Sequence, residues 1–381
     1  MVEAASVICQ PIPGLTITLT IILFLVLFLP FKFHKIEKNL EPFFLIMGII
    51  AIIANYAFGA TTTEEIIEVA KKAVITPVSI SGTPIGITQV VLLFGLLFYY
   101  YHEKIYKLLN MLIEKVGFIT FSFIFVLFFG LISSLISVIV TAVILAEIAA
   151  ALKIERKYKI EFVVLASFAV GLGAALTPVG EPLSTIAISK LEESFDYLLK
   201  ILGVYVISGV LLVSAYTAYR LKKSGVIVYG VEATYGETIR SVIERAVRVY
   251  IFVAALELLG HSFSYLAYCY FSKLPPWQLY WLNTISAVVD NATLTAAEIN
   301  KALTVEQIRS ALMSLLISGG MLIPGNIPNI VAAGRLKITS KEWARIGVPF
   351  GIVLLLLYFV IVEVIGLHIS IYTPFISWWL R

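Results

Sequence analysis

Two acids sit deep inside apolar stretches, with chain breakers and hydroxyls around them. Glu181 lies in GAALTPVGEPLSTIAIS (residues 173–189) and Asp290 in SAVVDNATLTAA (residues 286–297). A carboxylate at membrane depth is costly and by default marks function. Neutral oxygen donors stand close by: Thr177 and Ser184 beside Glu181, and Asn291, Thr293 and Thr295 after Asp290. A third polar set, Asn326 and Asn329, lies in SGGMLIPGNIPN (residues 318–329). No Lys or Arg occurs between Glu161 and Ser189, between Leu274 and Asn300, or between Ser310 and Gly334. Hard oxygens without a basic neighbour suit a cation such as sodium, whose shell helix-end carbonyls complete. Burial disfavours the charged form of a carboxyl, so the group holds either a proton or a cation. Competition for one acid then gives exchange. Glu181 and Asp290 are the expected cation- and proton-binding residues, with the neutral side chains as co-ligands. Asp290 has a plainer reading too, as an Asx-type cap of the helix that follows, which Asn291 and Thr293 also favour.

The elements that hold these groups must be interrupted. Pro178 and Gly180 break the first stretch, and Pro324 and Gly325 the second. Proline removes a backbone donor and glycine lets the chain bend. Backbone opened this way survives at membrane depth only when buried in protein or lining a cavity. These four residues are read as geometry, not ligands.

With 60% hydrophobic and 14% charged residues and a mean hydropathy of +0.98, the 381-residue chain is expected to be an all-α, multi-pass protein of the cell membrane. Weak alternation argues against a barrel. The net charge of +4 sits in loops and reflects orientation, not nucleic-acid binding. Cys9 and Cys269 suggest neither a disulfide framework nor a metal site. Residues 14–31 read as a retained span and not a signal peptide.

In chain order, spans are expected at 14–33, 43–59 and 85–101, then an interfacial helix to 115 whose apolar residues recur at helical spacing. Together they form an N-terminal unit, residues 1–115. Residues 116–223 form a first core: a hairpin with its tip near 133–141, the broken element 160–189 and a span at 197–219. Lysine-rich segments flank both ends of the apolar run 116–152, so a re-entrant hairpin keeps both inside. A polar cytoplasmic linker, 224–245, separates the second half, 246–366, with a span at 246–266, a hairpin at 277–303, a broken element at 308–333 and a span at 347–366. The aromatic tail 367–381 suits an interface.

The halves echo each other. AEIAAAL (146–152) recurs as AEINKAL (297–303), and GLGAALTPVGEPLS (171–184) recurs loosely as SGGMLIPGNIPN. Loop charges run the two broken elements in opposite directions, which is the inverted-repeat pattern. About eight spans and two re-entrant hairpins result.

TPVGEPLST (177–185) resembles the SPIGDVTT-like signature of NhaD-type sodium/proton antiporters, with Glu181 in place of Asp. SAVVDNATLTAA resembles their SAxxDN-like signature. These antiporters belong to the ion transporter superfamily, which also contains arsenite and dicarboxylate carriers. The chain is also similar to a family of predicted cation transporters. The likeness covers mainly residues 116–189 and 277–334. It implies sodium/proton antiport, a homodimer, and elevator-like movement of the core against a scaffold. Two departures stand out: Ile139 and Val140 lie opposite Asp290 and Asn291, and Asn326 takes the place of Glu181 in the second break.

Glu257 and His261, one helical turn apart, read either as a proton relay or as a buried pair joining two helices. Glu147 and Glu298 are expected to pair with lysines at the hairpin bases, and Glu363 to be interfacial. The chain has no P-loop and no HExxH, and its four histidines are scattered, so neither an enzyme nor a cofactor is expected. Expected partners are a monovalent cation, protons and the lipid bilayer. The serious rival is an anion carrier of the same superfamily, for arsenite, sulfate or a dicarboxylate.

Overall fold

A computed structural model describes residues 11–37, 39–79, 87–136, 138–226, 238–266, 269–270, 274–287, 291–299, 301 and 303–365. Asp290, the linker residues 227–237 and the tail from 366 onward lie outside the described residues.

Helices dominate, and there is no strand among the described residues. They are α1 (Pro13–Lys32), α2 (His34–Glu37), α3 (Leu40–Ala57), α4 (Thr63–Ile75), α5 (Ile87–Val116), α6 (Phe118–Ile136), α7 (Val138–Ala151) and α8 (Arg156–Ala174). Then come α9 (Pro182–Leu191), α10 (Tyr197–Lys223), α11 (Ile239–Leu266), α12 (Pro276–Leu282), α13 (Asn291–Glu298), α14 (Val305–Gly319), α15 (Ile327–Leu336) and α16 (Ser340–Phe359). Five segments are long and apolar enough to cross a membrane: Pro13–Pro30, Leu40–Ala57, Phe118–Ile136, Tyr197–Lys223 and Ser340–Val364. The last includes a π-helical turn, Val360–Val364.

Two helices form the centre. Every residue of α8 from Ile160 to Ala174 is buried, as is every residue of α14 from Ile308 to Gly319. A helix buried all round belongs to a core. Helices α6 and α10 pack on α8, and α12 and α16 pack on α14. The α6–α8 approach is close because Gly130 and Gly173 face each other: a Cβ on Gly173 would lie 1.7 Å from the Gly130 carbonyl oxygen. The Ser133 hydroxyl bridges the same two helices, donating to the Gly130 and Val170 carbonyls at 2.7 and 3.0 Å. A second group, α1, α3, α4 and α11, packs alongside, with α11 resting on α3 along much of its length.

Local signals account for the boundaries. Thr62 with Glu65, Thr304 with Gln307 and Thr339 with Glu342 close reciprocal capping boxes that start α4, α14 and α16. Helix α5 runs unbroken through the expected join between span and interfacial helix. No proline interrupts it before Gly117, whose φ of +77° ends the helix. Helix α11 begins at Ile239, inside the expected linker, so Arg245 is helical and faces inward. Cys269, whose pairing the sequence left open, is disulfide-bonded.

One end of the bundle gathers basic residues. Arg156 donates to both Glu342 oxygens at 3.0 Å and to the Leu336 and Lys337 carbonyls, while the Tyr158 hydroxyl donates to Ser224. Arg220 pairs with Glu161 at the same end. By continuity along α10, the Lys301–Glu192 pair lies at the opposite end.

Candidate functional site

Both central helices stop short, and each continues as a shorter one after an irregular turn. In the first break α8 ends at Ala174 and α9 restarts at Pro182, whose fixed φ suits a first helical position. Gly180 is required by contact: a Cβ there would lie 1.9 Å from the Ala174 carbonyl oxygen. The Ser184 hydroxyl, in the first turn of α9, donates to the Ala175 carbonyl at 3.0 Å. Thr185 donates to the Pro178 carbonyl at 2.6 Å, and the Gly180 amide to the Thr177 carbonyl at 3.1 Å.

The junction of α6 and α7 closes on this turn. The Val138 amide at the start of α7 donates to the Gly180 carbonyl at 2.6 Å, and the Thr177 hydroxyl donates to the Ser134 carbonyl. This junction falls inside the expected tip, 133–141. Glu181 sits in the turn, only 4% exposed.

The second break is built alike with different chemistry. Helix α14 ends at Gly319, a short 3-10 turn (Ile323–Gly325) holds Pro324 and Gly325, and α15 starts at Ile327. Asn326 caps α15, accepting the Ile327 amide on its side chain at 2.8 Å. Asn329, in the first turn of α15, donates to the Gly319 and Leu322 carbonyls at 2.7 and 2.8 Å. Ser184 and Asn329 therefore do the same job: each ties a carbonyl at the end of the first half-helix to the start of the second. Asn329 Oδ1 is buried with no hydrogen-bond partner among the described residues. A buried acceptor left this way costs about 1–3 kcal/mol unless something else binds it. Replacing Asn329 with Leu leaves two carbonyls without their donor and should destabilise by about 1–3 kcal/mol. Thermal unfolding in detergent measures this, and a loss below about 0.5 kcal/mol would contradict the clasp.

The two breaks meet. A Cβ on Gly171 of α8 would lie 2.5 Å from the Asn326 amide nitrogen, and a Cβ on Gly319 would lie 2.6 Å from both polar atoms of Asn291. The packing is reciprocal: α13 rests on α9, and α15 rests on α7. Four helix ends thus converge, offering the partial negative charge of two C-termini and the partial positive charge of two N-termini. Thr295 is fully buried, its hydroxyl donating to the Asn291 carbonyl at 2.8 Å. Asp290 and the Thr293 side chain lie outside the described residues.

A sequence profile of the family described as "Protein of unknown function (DUF1646)" matches residues 16–365, which include both breaks and every element that carries them. The chain belongs to the DUF1646 family. No curated protein matches it.

Other expected groups of this DUF1646 protein fall elsewhere. Glu257 and His261 lie on α11 where it packs against α3 and α4, and His261 is within electrostatic range of Glu65, Glu68 and Lys72 on α4. Glu147 and Glu298, expected to pair with lysines, each meet other groups as well. Glu147, 1% exposed, lies 2.9 Å from Arg245 Nη2 on α11 and 2.9 Å from Arg335 Nε on α15. Arginine suits this buried place because its planar fork can serve a carboxylate while staying charged. Glu298 accepts from the Asn283 amide at 2.9 Å. Glu363, expected at the interface, accepts from Ser310 of α14 within the π-helical turn.

The basic end of the DUF1646 fold holds a cleft of about 330 Å³, lined by Arg156, Lys159, Arg335 and Lys337 among others. Two of its cations serve helix C-termini. Lys159 donates to the Ala150 carbonyl at 2.8 Å, and Arg156 to the Leu336 and Lys337 carbonyls. Cations belong at that end of the macrodipole, so the cleft needs no anion to explain it.

Proposed function

We propose that this DUF1646 protein is a secondary active cation transporter exchanging sodium for protons across the cell membrane. Its two halves are read as inverted repeats, each with a re-entrant hairpin and a broken helix. The observation that supports the reading best is the meeting of two interrupted core helices, one break carrying a buried carboxyl, Glu181, and the other a buried acceptor, Asn329 Oδ1. Interrupted helices at the interface of two repeats are where such transporters bind substrate and coupling ion.

In this mechanism Glu181 holds a proton when the site is empty of sodium and releases it when sodium enters. Asn329 Oδ1 and helix-end carbonyls supply neutral oxygens. Asp290 contributes the second acid, and Asn291, Thr295 and Asn326 supply further polar groups. Ser184 and Thr177 hold the broken chain open through their carbonyl bonds. The basic end faces the cytoplasm, as the positive-inside bias requires.

Proteoliposomes with an acidic lumen test the reading. Sodium added outside should drive proton efflux, read by a lumenal pH dye, and Glu181→Gln should abolish it. Uptake of arsenite, sulfate or a dicarboxylate without any response to sodium would favour an anion carrier instead.

A further inference from the structure

Glu298 is a buried carboxyl that the mechanism above leaves unused. It is 3% exposed at the C-terminal end of α13. It matches Glu147 in the recurring AEI motif, yet the two environments differ. Glu147 lies against two guanidinium groups, Arg245 and Arg335. Glu298 is held by an amide, Asn283 Nδ2, donating to its Oε2 at 2.9 Å. Asn283 is fully buried, and its Oδ1 has no hydrogen-bond partner among the described residues.

An amide can serve a carboxyl in either state. Its N–H donates to the carboxylate, and after a half-turn of the side chain its oxygen accepts from the protonated acid. The second arrangement would give Asn283 Oδ1 the donor it lacks. Asn283 also joins Glu298 to the break. Its backbone carbonyl accepts from the Ser318 hydroxyl at 2.9 Å, and Ser318 immediately precedes Gly319, where α14 stops. Ser310 and Ser314 continue the same face of α14, one hydroxyl per turn, toward Glu363.

Titratable groups also lie on the elements packed around α13: Lys190 on α9, Glu257 and His261 on α11, and Glu306 and Arg309 on α14. The Arg309 guanidinium turns toward α10, donating to the Ile201 carbonyl at 3.2 Å and lying over the Tyr205 ring. Lys301, three residues after Glu298, pairs with Glu192 at the surface.

We propose that Glu298 is a proton-binding residue, separate from the cation site, which passes on the proton exchanged at Glu181, with Asn283 as the amide that serves both of its states. This rests on the antiport reading, and the test separates the two. Proteoliposomes carrying wild type or Glu298→Gln are assayed for radioactive sodium self-exchange without a pH gradient and for sodium-driven proton efflux. The expected result is that Glu298→Gln keeps self-exchange and loses proton efflux. Unchanged proton efflux, or loss of both activities together, would overturn the proposal. A wild type with neither activity would sink the antiport reading instead.

An infrared difference spectrum of purified protein between acid and alkaline pH reads the proton directly, without transport. The C=O band of a protonated acid should be weaker in Glu298→Gln; an unchanged band overturns the assignment. Asn283→Leu guards against misfolding of the first variant. It removes a charge-assisted bond from the ionised form and a weaker one from the neutral form. The pH midpoint of the Glu298 band should therefore rise, and an unmoved midpoint counts against Asn283 as its partner.

Discussion

Glu147→Ala should lower stability by about 3–5 kcal/mol, the cost of removing one partner from a buried ion pair. The side chains left behind, Arg245 and Arg335, are only 8% and 13% exposed, so neither charge can move easily into water. The network ties α7 and α15, which carry a tip and a break, to α11 of the neighbouring group. Thermal unfolding in detergent measures the loss. The double variant Glu147→Leu with Arg245→Met should be less damaging than Glu147→Ala alone, because the more deeply buried guanidinium goes with the carboxylate. If the double variant is worse than the single, the cost lies in packing and not in stranded charge.

Gly173→Ala should cost about 3 kcal/mol or more, at the upper end for overpacking a core. The new methyl would meet the Gly130 carbonyl oxygen at 1.7 Å, and backbone cannot swing aside as a side chain can. Helices α6 and α8 would have to separate, stretching the Ser133 bond to Val170 and pulling the α6–α7 junction away from the first break. Loss of thermal stability together with loss of sodium-driven proton efflux is expected. Gly334→Ala provides the control, since a Cβ there meets nothing within 4 Å. Equal behaviour of the two variants would contradict the close α6–α8 approach.

The breaks were legible because proline and glycine act locally. Pro178, Gly180, Pro324 and Gly325 all fall between the two half-helices of their breaks, where proline's missing donor and glycine's freedom are tolerated. The junction of α6 and α7 near 133–141 was readable from an apolar run too long for one crossing. Partners across the fold were not readable. Arg245 looked like the end of a polar linker, and nothing in its neighbours reveals that α11 already runs through it toward Glu147. Asn283 carried no signal at all, since an isolated amide before a hydroxyl is common in any helix end. The join within α5 was misplaced because the change from apolar to amphipathic composition there alters the helix's surroundings without interrupting its backbone. The shared task of Ser184 and Asn329 lay in matching positions of the repeat, but their carbonyl partners depend on how each turn folds back.

The claim that one buried acid trades a proton for a cation is tested most directly by titrating sodium into purified protein in weakly buffered solution at mildly alkaline pH, with a dye reporting released protons. Wild type should release protons as sodium binds, and Glu181→Gln should release fewer at the same sodium concentration. Sodium binding by wild type without any proton release would contradict the account.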